Sequence, residues 1–75
     1  MEIEVKCYAT LAHHQPRNAE RFPVEPGTSV ANLMEALGMS AEAVKVIFVN
    51  GRHVDQGHVL ADGDRVALFP AVGGG

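Results

Sequence analysis

The group with the clearest chemical potential sits in the last six residues, Pro70-Ala71-Val72-Gly73-Gly74-Gly75. The α-carboxylate of Gly75, with an ordinary pKa of about 3.3–3.7, is ionised at neutral pH and is a poor electrophile until something activates it. Gly73 and Gly74 carry no side chain to obstruct a narrow channel, but glycine costs more entropy to order than any other residue. Such a tail is useful only when another surface grips it. Residues 1–69 are therefore expected to be one domain, and residues 70–75 a flexible tail that packs on nothing and carries the reactive carboxylate.

The other chemically capable side chains read as structural. Cys7 falls on the inward parity of a strand, where a free cysteine behaves as a small buried hydrophobe. A reactive thiol needs exposure and an electropositive setting. His13 and His14 are adjacent and are expected to point apart on the surface. With His53 and His58 they lack the spacing of a zinc site, so no metal is expected. Asp62-Gly63-Asp64 resembles a fragment of a calcium loop but lacks its length and closing glutamate, and reads as a turn.

Seventy-five residues make one domain with a small core. A net charge of −3, with six basic residues scattered along the chain, argues against nucleic acid as a partner. The longest apolar run, Val46 to Val49, is far too short to span a bilayer, and Met1-Glu2-Ile3-Glu4 lacks the features of a secretory signal. A single cysteine cannot form an internal disulfide, which fits a reducing, cytoplasmic setting.

The elements that must hold the tail follow from hydrophobic spacing. Residues 2–8 alternate, with Ile3, Val5 and Cys7 on one face and Glu2, Glu4, Lys6 and Tyr8 on the other, as in a half-buried strand. Residues 10–19 read as a loop. Arg21 to Val24 reads as a short strand that Pro23 confines to a sheet edge. Thr28 or Ser29 can cap a helix in which Val30, Leu33, Met34 and Leu37 recur over about three turns before Gly38 stops it. Ser40 can cap a further turn through Ala43. Lys45 to Val49 is a strand, Asn50-Gly51 a hairpin turn, His53-Val54 a short return strand, and Arg65 to Phe69 the last strand. This order suggests an α+β fold of the β-grasp type: one main helix across one face of a small mixed sheet, with the first and last strands parallel in its middle.

Parity then assigns faces. Val66 and Leu68 belong with Ile3 and Val5 against the helix, so Phe69 points away from the core, as Tyr8 does. On parallel neighbours these two rings lie at adjacent ends of the open face, where the tail begins. An exposed aromatic pair there is a candidate docking patch.

The run from Thr28-Ser29-Val30 through Leu33 to Leu37-Gly38, the Val49-Asn50-Gly51 turn, Asp62-Gly63-Asp64 and the ending Phe69-Pro70-Ala71-Val72-Gly73-Gly74-Gly75 resembles the MoaD/ThiS family of ubiquitin-like sulfur carriers. The likeness covers nearly the whole chain, and the ending is closer to the MoaD side. Ala71 stands where the family often has a second proline, and Gly73 where it has a residue with a side chain. The resemblance implies that an E1-like adenylating enzyme of the MoeB/ThiF type, using ATP, converts the Gly75 carboxylate to an acyl-adenylate. A sulfur donor, typically a persulfide, then leaves a thiocarboxylate that passes its sulfur to an acceptor enzyme such as a large synthase subunit. The chain would act as protein co-substrate or small synthase subunit, with no bound cofactor and no acid or base of its own. Gly75 and Gly74 would carry the chemistry, and Tyr8, His53, Phe69, Pro70, Val72 and Gly73 would meet the partners. The MoaD-like ending points to sulfur supply for molybdopterin. A thiazole precursor, a tRNA base and a cysteine precursor are alternative acceptors under the same mechanism. A modifier joined through Gly75 to protein lysines and a plain interaction module are alternatives of other classes.

Overall fold

In a computed structural model that describes residues 1–71, five strands form one mixed sheet. They are β1 (Glu2–Cys7), β2 (Phe22–Pro23), β3 (Val44–Val49), β4 (Arg52–Val54) and β5 (Arg65–Pro70), in the spatial order β2-β1-β5-β3-β4. β1 and β5 run parallel, and every other neighbouring pair is antiparallel. The main helix, α1 (Val30–Ala36), contributes Val30, Leu33 and Met34 to the core. They are buried together with Ile3, Val5 and Cys7 of β1, Val66 and Leu68 of β5, and Val44, Ile47 and Val49 of β3. This is the expected β-grasp. Pro23 lies in the edge strand β2, where a missing N–H costs no ladder bond.

α1 is two turns long rather than three, because both its ends are sealed. Ser29 Oγ accepts the Asn32 N–H at 3.1 Å and Asn32 Oδ1 accepts the Ser29 N–H at 3.1 Å, a reciprocal cap. The Val30 and Ala31 N–H groups donate to the carbonyls of His58 and Gln56, so the loop before β5 closes the helix start. At the other end Gly38 takes φ +81°, its N–H donates to Glu35, and the Met39 N–H donates to Met34. That pair of bonds satisfies the final carbonyls, and Met34 and Met39 are both buried beside them.

The stretch expected to be a loop is more ordered than its sequence suggests. Ala9–His14 and Ala19–Arg21 are short 3₁₀ helices, and Leu11 and Ala19 are buried. Such turns have no 3.6-residue apolar repeat to betray them. The turn Ala41–Ala43 after Ser40 is also 3₁₀, and the Ser40 side chain makes no capping bond.

The two tight turns beneath β5 share one buried carboxylate. Asn50 and Gly51 both take positive φ (+54° and +80°), the geometry of a two-residue hairpin turn. Asp64 is buried, and its carboxylate accepts from Asn50 Nδ2 and from the Ala61 N–H, each at 2.8 Å. Asn50 Oδ1 in turn accepts the Arg65 N–H at 2.9 Å. Asp62 Oδ1 accepts the Glu2 N–H at 2.8 Å. Both carboxylates of the Asp-Gly-Asp turn therefore serve the fold. Asp64→Ala strands the Asn50 amide and the Ala61 N–H, and should cost about 1–3 kcal/mol, read as a lower urea midpoint at unchanged slope.

Candidate functional site

The sheet face away from α1 is organised by register. Cys7 pairs with Leu68 on the two central strands, and both side chains are buried. The residues one step on, Tyr8 and Phe69, therefore emerge on the opposite face. Their rings stack with centroids 4.4 Å apart and planes 6° from parallel, and Tyr8 is 39% exposed. Two features hold Tyr8 there. Its N–H donates to the Leu68 carbonyl at 3.1 Å, and the next residue, Ala9, turns the chain away with φ +52°. That left-handed backbone is strained for a residue with a Cβ.

Phe48 extends the pair to a cluster. Its ring meets Phe69 edge-on at 5.9 Å and 87°, and meets His53 at 5.9 Å and 64°. Edge-to-face contacts of this kind place the positive ring edge against the negative ring face. A shallow open hollow runs from this cluster along the central strands, lined by Glu4, Lys6, Tyr8, Phe48, Ala67 and Phe69 among others. Phe48 is not among the candidate residues expected from the sequence. The signal was present. A two-residue Asn50-Gly51 turn forces Val49 opposite Arg52 and hence Phe48 opposite His53, which is the register observed.

A β-bulge sets the phase of β3. Val44 pairs with Pro70 and Val46 with Phe69, so Lys45 is the extra residue. The bulge lets Val44, Ile47 and Val49 all point into the core while Val46 and Phe48 share the open face. β5 runs one residue further than its sequence pattern suggests, through Pro70, which is half-buried opposite Val44. Of the candidate residues, the structure thus gathers Tyr8, Phe69 and His53 around Phe48 and puts Pro70 at the end of the central strand. Val72, Gly73, Gly74 and Gly75 lie outside the described residues.

The remaining candidates separate from this face. Cys7 is buried, and burial pushes its thiol above the ordinary range, away from the reactive thiolate. His13 and His14 do not point apart. The 3₁₀ turn holds their rings 4.3 Å apart, and His14 Nδ1 lies 3.1 Å from the Leu37 carbonyl at the end of α1. Neighbouring side chains diverge by about 120° in a 3₁₀ turn rather than opposing each other as in a strand. Among the described residues no three His, Cys, Asp or Glu side chains converge as metal ligands. No helix there is long and apolar enough to cross a membrane.

Compared with protein-family models, residues 5–75 match the one described as the ThiS family. No curated protein matches. Among solved structures the chain is similar to SAMP1 from Haloferax volcanii, at 26% identity, full coverage of both chains and a TM-score of 0.72. It is similar also to a protein provisionally named molybdopterin converting factor, subunit 1, from Pyrococcus furiosus, with 28% identity over 96% of this chain and 99% of that one, at a TM-score of 0.71. The HVO 2177 protein of Haloferax volcanii gives 26% identity over 100% of this chain and 87% of that one, at a TM-score of 0.76. With a family match that runs from β1 to the final glycine and a ubiquitin-like β-grasp shared with these structures, the chain belongs to the ThiS family of the MoaD/ThiS carriers and modifiers.

Proposed function

We propose that this chain is a sulfur carrier in which the carboxylate of Gly75 is the reacting group and the open sheet face is the handle by which partner enzymes hold it. The observation that carries this reading is the position of the Tyr8–Phe69–Phe48 cluster, with Tyr8 exposed and the two phenylalanines half-buried, beside Pro70 at the end of the central strand that leads to the glycines. Five residue steps from Pro70 to Gly75 span at most roughly 17–18 Å, enough to enter another protein's active site. Ordering those residues costs about 1–2 kcal/mol each. Burial of the aromatic cluster against a partner is what would offset that cost.

The chemistry needs an electrophile, and a carboxylate becomes one by activation. Attack of the Gly75 carboxylate on the α-phosphate of ATP gives an acyl-adenylate and releases pyrophosphate. A persulfide displaces AMP to form an acyl disulfide, and a second thiol cleaves the S–S bond reductively, leaving a thiocarboxylate on Gly75 and a disulfide on the donor. The activating enzyme would be of the MoeB/ThiF type. The likeness to the Pyrococcus furiosus protein supports delivery to a molybdopterin-forming synthase, with this chain as its small subunit. A second reading, conjugation of Gly75 to protein lysines, is supported by the likeness to a small archaeal modifier protein.

Intact mass after incubation with ATP, a persulfide donor and a MoeB/ThiF-type enzyme should shift by one oxygen replaced by sulfur. A ladder of conjugates in cell extract would instead favour the modifier. Deleting Gly75 should abolish charging and leave thermal melting unchanged. The handle is checked by a pair of neighbours. Leu68→Ala, in the core, should lower stability by about 2–5 kcal/mol. Phe69→Ala, which removes contacts to both Tyr8 and Phe48, should lower it by about 1–3 kcal/mol, the scale of two aromatic pairs, while weakening binding to the activating enzyme more than Leu68→Ala does. A large stability loss with unchanged binding would sink the assignment of Phe69.

A further inference from the structure

The open face carries charge opposite in sign to the chain as a whole. Lys6 and Arg65 stand on its parity in β1 and β5, and Lys45 projects from the β3 bulge opposite the step between Phe69 and Pro70. All three are exposed. Among the described residues none of them lies within ion-pair distance of a carboxylate; the ion pair present joins Arg21 to Glu2 at 3.1 Å and neutralises the outermost carboxylate of β1. Glu4 is the other acidic strand residue on this face. Asp55 lies beyond the end of β4, its carboxylate accepting the Gly57 N–H at 2.9 Å. Three cations against one carboxylate give the strands a net +2, which leaves −5 on the rest of a chain of net −3. The cations flank the aromatic cluster. Lys6 is two strand steps, about 7 Å, from Tyr8, and Arg65 is four steps, about 13 Å, from Phe69.

We infer that this face docks on a protein surface whose apolar hollow is ringed by carboxylates, and that Lys6, Arg65 and Lys45 steer the encounter. This rests on the sulfur-carrier reading and specifies the chemistry of the activating enzyme's docking surface. Two arguments select such a partner. The centre of the face is a cluster of aromatic rings whose burial needs an apolar counterpart. Three cations are also too few to hold a phosphate backbone against counterions at physiological salt. Charge complementarity acts on the rate of approach, and here it acts twice. A partner rimmed with carboxylates attracts the cationic face and repels the acidic remainder, so the chain arrives with its open face forward. The aromatic contacts, desolvated once docked, set the lifetime of the complex.

Stopped-flow association with a purified MoeB/ThiF-type enzyme that shows ATP–pyrophosphate exchange with the chain tests this directly. Between about 0.02 and 0.3 M ionic strength, where screening lengths fall severalfold, the association rate should drop on the order of tenfold with little change in dissociation. Lys6→Glu with Arg65→Glu should slow association by a similar factor at low salt and flatten the salt dependence. If that pair fails to melt cooperatively, Lys6→Gln with Arg65→Gln should show the same direction at smaller size. Phe48→Ala should raise the dissociation rate and leave the salt slope intact. Exchange that proceeds with a salt-independent association rate, or with charge variants that associate like the parent, overturns the inference alone. Tighter binding to a duplex DNA oligonucleotide than to the enzyme overturns it in favour of nucleic acid. Absence of exchange overturns the sulfur-carrier reading beneath it.

Discussion

β1 and β5 come from opposite ends of the described chain, and their parallel register, from Glu4 with Arg65 to Cys7 with Leu68, closes the sheet. Long-range closure of this kind costs loop entropy before any contact repays it. The return is the burial of Ile3, Val5, Val66 and Leu68 under α1, each with at most 2% of its surface exposed. The same register decides the open aromatic face. With Cys7 and Leu68 turned inward, Tyr8 and Phe69 have to meet on the other side. A slip of one residue in either strand would bury one ring and expose a core residue. Core and open aromatic face are two sides of one alignment.

That dependence explains what was legible in the sequence. β1 alternates strictly, and Val66 and Leu68 follow its inward parity in β5, which places Tyr8 beside Phe69. The caps on α1 were visible as Ser29 and Gly38, but its length was not. Leu37 keeps the apolar spacing although it already belongs to the C-cap. The 3₁₀ turn Ala9–His14 is not legible in the sequence because a single buried side chain, Leu11, anchors it without any repeat. Its consequence for the histidines was missed with it. Phe48 was overlooked for a different reason: β3 is apolar at every position from Val46 to Val49, and composition alone gives such a strand no faces. Only the turn register and the bulge do.

The short polar side chains near the turns and helix ends are taken up by the fold. Asp64, Asn50 and Asp62 hold turns, Ser29 and Asn32 hold a helix end, and Gln15 Oε1 accepts the Cys7 N–H at 2.9 Å. Among the described residues no buried side-chain nitrogen or oxygen lacks a hydrogen-bond partner. A domain built this way has these polar side chains committed to shape. Surface aromatics and unpaired cations, which contribute little to holding the fold, are free to be chosen for contact instead.

The bulge at Lys45 has a consequence for how such a chain tolerates change. It shifts the phase of β3 by one residue, so Val44 on one side of it and Ile47 on the other both face inward. Upstream of that point, the turn at residues 40–43 lies outside the strand pairing, so a change of length there leaves Val46 opposite Phe69. Downstream there is no such freedom. From Val46 through the two-residue turn to His53, each position is locked to its partner across the sheet. One inserted residue there would carry Phe48 to the wrong side. The bulge thus separates a connecting turn, residues 40–43, from a strand and hairpin, Val46 to His53, whose positions are fixed one by one.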